Sequence, residues 1–247
     1  MDDKYFITRR SVRRYSDKKV SRELLDSILQ EATKAPTCGN MQLYSVIVTR
    51  DEEKKKELAA LHFNQPAATG ADVLLTICAD YHRFTRWCEI NGGDPAYDNF
   101  LSFTSAVTDA VILAQQIVTI AEMRGLGTCY LGTVTYNAPK ISELLHLPEM
   151  TFPIAALSIG YPAEEGEETE RLDLSGVVYD EEYPELSDDM IRDIYKVKEE
   201  FAPNKKFVEE NGKENLAQVF SDIRYPRSLN EPVTAALLEF MKKQRFL

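Results

Sequence analysis

A long apolar segment, residues 100–124, constrains the fold of this chain more than any other stretch. Its small and aliphatic residues recur at positions i, i+3, i+4 and i+7, and apolar side chains fall on more than one face of the predicted helix. Such a helix is buried either in a core or in a subunit interface. We therefore expect a central helix that also meets a second subunit; the alternative is a helix buried within one chain.

Short β-branched and apolar runs predict the strands that pack around this helix. Helical patterns lie between them, including one that Ser21 caps and Pro36 ends. Helices and strands alternate up to residue 80, which suggests a layered α/β arrangement. The predicted strands are residues 44–49, 73–79, 128–131 and 152–162, and further predicted helices are 52–61, 140–147 and 233–246, with a polar helical pattern from residue 187.

The glycine-rich run 125–132 does not form a dinucleotide-binding fingerprint. It follows a helix and precedes a strand, which is the reverse of the order in a Rossmann turn. Gly125 is placed to end the helix, and Gly132 would let the backbone come close to something flat or bulky.

The charge balance excludes some partners. A formal net charge of −11 argues against nucleic acid or an anionic membrane surface. We expect no apolar run long enough to span a membrane, and the charged residues 1–4 lack the apolar core of a signal peptide.

The cysteines and histidines indicate neither disulfides nor a metal centre. The four cysteines are widely spaced and form no C-x-x-C pair, so we expect free thiols in a reducing compartment and a cytoplasmic protein. The three histidines lack metal-ligand spacing, so a zinc site is not expected. These residues are Cys38, Cys78, Cys88 and Cys129, and His62, His82 and His146.

An arginine cluster near the start of the chain predicts an anion site. Arg9, Arg10, Arg13 and Arg14 surround Ser11 in an otherwise acidic protein. The guanidinium fork matches phosphate oxygens, and a serine hydroxyl adds a short donor. The alternative is an ordinary solvated basic face.

Two irregular segments are open to more than one interpretation. The loop 36–42 can present backbone N–H groups and amides to a flat polar ligand, although ordinary turn chemistry also explains it. Residues 83–99 are turn-rich and aromatic, and they are either a lid or subunit contact, or packing without a function.

Taken together, these features resemble the flavin-dependent nitroreductase family. The resemblance rests on several motifs in the right order and covers the chain up to about residue 171. The remaining C-terminal part resembles the branch of NADPH-dependent, oxygen-insensitive nitroreductases and flavin reductases. The motifs are residues 9–13, 35–42, 125–132 and 159–162.

The resemblance implies an α+β fold with a mostly antiparallel sheet flanked by helices. It also implies an intertwined homodimer with two FMN sites at the subunit interface. Residues 1–180 would form the FMN-binding core. Residues 181–247 would form a helical extension of the same domain that reaches towards the other subunit.

The resemblance assigns residues to the cofactor. Three further segments would lie along the flavin, and one late arginine would lie beside the phosphate. Only Lys205 and Lys206 stand where the branch has an arginine-rich NADPH loop, so the choice between NADPH and NADH is open. The implied FMN residues are Arg9, Arg10, Ser11 and Arg13 for the phosphate and ribityl chain, Thr37, Cys38, Asn40, Gln65, Tyr130, Leu131 and Gly132 for the flavin, and Arg171.

The implied chemistry belongs to the cofactor rather than to a catalytic side chain. NAD(P)H would deliver hydride to FMN and leave, and a nitroaromatic, quinone or free flavin would then take two electrons in a ping-pong cycle. Three alternatives remain: an NAD(P)H:FMN flavin reductase, a flavin-binding protein without turnover, and a helical interaction protein that binds no flavin.

Overall fold

The structure is a computed structural model of the chain and describes residues 4–247. The expectation for the charged N-terminus therefore falls mostly outside the described residues. The strands are β1 Tyr44–Thr49, β2 Val73–Asp80, β3 Gly127–Tyr130 and β4 Thr151–Gly160. The helices are α1 Tyr5–Thr8, α2 Arg22–Ala32, α3 Glu52–Leu61, α4 Pro66–Thr69, α5 His82–Ile90, α6 Phe100–Met123, α7 Ala138–Leu144, α8 Asp188–Glu200, α9 Ala202–Glu210, α10 Leu216–Gln218 and α11 Arg227–Lys243.

The four strands form one sheet in the order β1-β2-β4-β3, and all three neighbouring pairs are antiparallel. The strand β2 is buried along its whole length. Its side chains alternate between two apolar layers, with Leu75 in the layer of α2 and α6 and Leu74 in the layer of α3. The predicted α+β fold is confirmed, and the layered α/β interpretation of the first 80 residues is wrong because no strand pair in the described sheet is parallel.

The long helix α6 is the core helix that its sequence predicts. Ala110, Ala114 and Ile117 are fully buried against the sheet and α2. One expectation needs correction: α6 is long and apolar enough to cross a membrane, with a mean hydropathy of 1.4 over its best window. Its buried face packs on the sheet and α2, which accounts for the 39% of that window that is buried.

Two glycines explain how the segment before α2 attaches to the sheet. Gly127 and Gly160 face each other across β3 and β4. A Cβ atom on Gly127 would lie 2.7 Å from Val12, and one on Gly160 would lie 2.9 Å from Tyr15. The missing side chains therefore make room for these two residues, and the Val12 amide donates to Thr128 O at 3.0 Å.

The chain forms two compact units. The first comprises residues up to Glu167 together with Ala235–Leu247, and the second comprises Glu168–Thr234. The expectation that residues 83–99 are irregular is partly wrong, because α5 runs from His82 to Ile90. Two aromatic residues stabilise this helix. Phe84 and Trp87 lie one turn apart, and their ring centroids are 5.5 Å from each other.

Replacing Gly127 tests this packing. Gly127→Ala should lower the free energy of unfolding by about 1–3 kcal/mol, because the new methyl group would overlap Val12 in a packed site. Urea unfolding followed by circular dichroism measures the change. Gly132→Ala is the control, since no heavy atom beyond its chain neighbours lies within 4 Å of the place its methyl group would occupy. Equal stability of the two variants would contradict the packing account.

Candidate functional site

The arginine cluster lies on an extended segment beside the edge strand β3. Val12 is buried and Tyr15 is half-buried, and the Tyr15 hydroxyl donates to Val12 O at 2.8 Å. The side chains of Arg10, Arg13 and Arg14 are exposed, and each pairs with a glutamate of residues 164–167. The three guanidinium groups therefore lie near the same acidic stretch of the chain.

Arg9 differs from the other three arginines because a carboxylate already holds it. Its Nη2 donates to Glu122 Oε1 at 3.0 Å, and that carboxylate is nearly buried. Glu122 also accepts from the Tyr5 hydroxyl at 2.8 Å and from the Thr128 hydroxyl. Arg9 therefore ties the segment to α6 and β3, while its neighbours face exposed partners.

An acidic loop lies opposite the exposed arginines. Glu165 Oε2 lies 3.9 Å from Arg10 Nη1, and Glu167 Oε2 lies 3.9 Å from Arg13 Nη1. The side chains of both glutamates are about nine-tenths exposed, at 96% and 88%. Exposed pairs of this kind contribute about 0–1 kcal/mol, so a phosphate could replace them.

A cavity of about 610 Å³ lies between this loop and the arginine segment. Arg10 lines it on one side, and Gly166 lines it on the other. The two walls are in close contact beside it, since Arg10 Nη1 donates to Gly166 O at 3.3 Å. The cavity is lined by Thr8, Arg10, Val12, Pro162, Ala163, Glu164, Glu165 and Gly166.

Just after β3, the exposed surface at Gly132 is formed by backbone rather than by a side chain. Leu131 is buried, and its amide donates to Ala156 O at 2.8 Å. The next residue, Gly132, is exposed with open space where a side chain would stand. Burial raises the pKa of Tyr130 to about 12, although the nearby charge of Arg9 opposes the rise. Tyr130 therefore stays neutral and lies near the arginine segment.

A hydrogen-bond network connects Gln65 to the residue after Gly132. The Gln65 amide donates to Thr133 Oγ1 at 3.3 Å and to His62 O at 3.1 Å. His62 Nδ1 lies 2.9 Å from the same hydroxyl. Burial lowers the pKa of His62 to about 4, so the ring is neutral near pH 7. No sequence signal pointed to this histidine, since its role depends on contacts with Thr133.

The loop with Thr37, Cys38 and Asn40 precedes β1, at the opposite edge of the sheet from β3. Three strand spacings of about 4.8 Å separate the two edges, which is about 14 Å. Asp109 of α6 accepts from the Cys38 amide at 2.7 Å. The loop is also held from α5, because Arg83 Nη2 donates to Gln42 O at 2.7 Å.

Arg171 belongs to the second compact unit. Its Nη1 donates to Glu170 O at 2.8 Å and to Thr169 Oγ1 at 2.7 Å. Glu170 is itself paired with Lys198. The position proposed for Arg171 beside a phosphate therefore remains a prediction from the resemblance.

The fold and the arginine segment define a class of protein, and comparisons with known proteins agree. The model of the Nitroreductase family matches residues 7–161. The chain therefore belongs to the Nitroreductase family, and the resemblance seen in the sequence is confirmed.

Several relatives cover most of the chain. An FMN reductase [NAD(P)H] of Bacillus subtilis is 31% identical over 96% of this chain and 94% of its own length. A Cr(VI) reductase of a Pseudomonas species is 35% identical over 70% of this chain and 71% of its own length.

Solved structures agree with the fold along the whole chain. A crystal structure from Bacteroides fragilis is 44% identical, covers 100% of both chains and has a TM-score of 0.96. The NfrA1 nitroreductase of Bacillus subtilis is 28% identical, covers 98% of both chains and has a TM-score of 0.85.

The buried neutral His62 predicts a specific loss of stability in acid. Its folded pKa of about 4 lies below the usual value of 6.5, so the unfolded chain takes up the proton first. Stability should therefore fall as the pH drops from 6.5 towards 4, by about 2 kcal/mol between pH 7 and pH 5 from this group alone.

Urea unfolding of the wild type and His62→Gln at both pH values measures this contribution. The variant should lose less stability than the wild type, while His82→Gln, at an exposed histidine, should behave like the wild type. If all three proteins lose the same free energy, His62 is not the buried neutral group described above.

Proposed function

We propose that this protein is an FMN-dependent NAD(P)H oxidoreductase that reduces nitroaromatics or quinones by two-electron transfer. The observation that carries the proposal is the arginine segment beside β3, in which Arg10 lines a cavity and Ser11 and Arg13 are its near neighbours in sequence. The family membership and the names of the relatives support it, since these include FMN reductases and NADPH nitroreductases.

The chemistry of the donors fits an FMN phosphate. Two guanidinium groups and a hydroxyl provide donors in a fixed arrangement, because Val12 anchors the backbone between them. Their present partners, Glu165 and Glu167, are exposed and easily displaced. Arg9 holds the segment in place through its ion pair with Glu122, so it would act on the phosphate by charge alone.

When bound, FMN would take a hydride from NAD(P)H and pass two electrons to the acceptor. The chain would position the flavin and adjust its electrostatic environment. The open backbone at Gly132 would let the ring approach closely, and Thr133 and His62 would hold the Gln65 amide towards its edge. The hydride supplies two electrons and one hydrogen nucleus, and the second proton that a quinone or nitro group takes up would come from solvent, so the proposal requires no acid–base side chain.

We further propose a homodimer with FMN at the subunit interface. The loop of Thr37, Cys38 and Asn40 lies at the opposite sheet edge from the arginine segment, so a loop from a second copy could complete each site. The exposed apolar residues Leu101 and Val111 on α6 support such an interface. The four free thiols support a reducing compartment, which we propose is the cytoplasm.

Flavin reductase activity is the second candidate, and the names of the Bacillus relatives favour it. Steady-state rates with nitrofurazone, menadione and free FMN separate the candidates by their preferred acceptor. Anaerobic titration with NADPH and with NADH, followed by absorbance, tests turnover itself and gives the nicotinamide preference. Bound FMN that neither nucleotide bleaches would indicate a flavin-binding protein without turnover.

The phosphate assignment predicts the effect of reversing one charge. Arg13→Glu should release FMN and leave the fold intact, because its side chain is half-exposed and repulsion would replace attraction. Absorbance of the purified protein and FMN titration by fluorescence quenching measure the loss. Arg14→Glu is the control, because it changes the net charge by the same amount at the next residue. This variant should bind FMN much more tightly than Arg13→Glu. Purified Arg13→Glu that is still yellow would refute the assignment.

The acidic loop predicts an opposite effect. Glu165→Gln with Glu167→Gln should tighten FMN binding by several-fold, because each exposed pair that a phosphate must replace contributes up to about 1 kcal/mol. FMN titration of the wild type and the double variant at low and at high salt measures the change in affinity. The gain in affinity should become smaller at high salt, because salt screens the charges. Weaker binding by the double variant would show that these glutamates help to hold the cofactor.

A further inference from the structure

A single carboxylate is buried in the middle of the apolar helix α6. Asp109 is 0% exposed, and its neighbour Ala110 and the nearby Ala106 are equally buried. A carboxylate without partners would be strongly disfavoured in such a place. The residue therefore needs strong hydrogen bonds, and their partners show what it does.

Both oxygens of Asp109 accept backbone amides from one loop. Oδ1 accepts from the Cys38 amide at 2.7 Å, and Oδ2 accepts from the Leu43 amide at 3.0 Å. These charge-assisted bonds hold the two ends of a six-residue loop against the helix. The proposed flavin contacts at Cys38 and Asn40 lie inside or at the end of this loop.

The loop has a backbone conformation that needs such support. Gly39, Asn40 and Gln42 all have positive φ, at 56°, 57° and 56°. Left-handed conformations are unfavourable for residues with a side chain, and they persist where the surroundings enforce them. Asp109 provides that constraint from outside the loop, at a distance of about 70 residues in sequence.

We infer that Asp109 is a positioning residue that fixes the loop 38–43 in the conformation that presents Cys38 and Asn40 to the flavin. This inference rests on the proposed function for the identity of the ligand. The hold of Asp109 on the loop stands on the two hydrogen bonds alone.

The reactivity of the Cys38 thiol offers a second measure of how close the Asp109 carboxylate lies to the loop. The nearby Asp109 carboxylate and burial raise the pKa of the Cys38 thiol. The other groups that face the thiol are Ser105 O, 3.8 Å from Sγ, and the Tyr81 phenol. Thiolates are the reactive form, so Asp109 keeps Cys38 less reactive beside a redox site.

Asp109→Asn tests the inference with little change of shape. An amide has one acceptor oxygen, so one of the two backbone bonds must be lost, and its NH₂ group would face an N–H donor. We expect FMN to bind about tenfold more weakly, as the loss of a charge-assisted hydrogen bond implies. Alkylation of Cys38 by iodoacetamide at pH 8, followed by peptide mass spectrometry, should become faster, with Cys88 as the internal reference.

Val118→Ala is the matched control for stability. Val118 is fully buried in the same helix, and its truncation should destabilise α6 without touching the loop. We expect Val118→Ala to lose about as much stability as Asp109→Asn. It should nevertheless keep the wild-type FMN affinity and the wild-type rate of Cys38 alkylation. If Asp109→Asn also keeps both wild-type values, the inference is wrong.

The two hypotheses can fail separately. If the wild type binds no FMN but Asp109→Asn still accelerates Cys38 alkylation, the proposed function fails and the hold on the loop remains. If Asp109→Asn does not fold, hydrogen exchange of the wild type decides: the amides of Cys38 and Leu43 should be protected. Fast exchange at both amides would overturn the inference.

Discussion

The attachment of the arginine segment to the sheet is the interaction on which the rest of the proposed site depends. Val12 and Tyr15 occupy space that Gly127 and Gly160 leave open across β3 and β4. These two contacts hold the segment beside β3, where the side chains of Arg10, Arg13 and Arg14 are exposed. The burial of these two side chains, in a space that only glycine leaves open, thus determines where the positively charged segment lies.

Charge is then distributed unequally along this segment. Glu122 neutralises Arg9 in a nearly buried pair, whereas Glu165 and Glu167 only screen Arg10 and Arg13 from outside. The first pair is structural because breaking it would leave a charge in a poorly hydrated place. The exposed pairs can exchange partners at little cost, which is the behaviour expected of a phosphate site in an acidic protein.

Local patterns in the sequence predicted the fold better than they predicted the site. The strand 44–49 and the helix 52–61 match the structure residue for residue, and Ser21 caps α2 as expected. Contacts between distant residues could not be read in the same way. The sequence analysis did not single out Asp109, because its bond to Cys38 joins residues 71 positions apart. The helix α5, which covers part of 83–99, was missed although its contact between Phe84 and Trp87 is local, at spacing i, i+3.

Comparison of FMN with riboflavin tests the central claim most directly, since riboflavin has the same ring and lacks the phosphate. Isothermal titration of the wild type and of Arg10→Glu and Arg13→Glu gives the two affinities for each protein. The account predicts that the wild type binds FMN far more tightly than riboflavin, and that this difference largely disappears in both variants. Equal affinities of the wild type for FMN and riboflavin would contradict it.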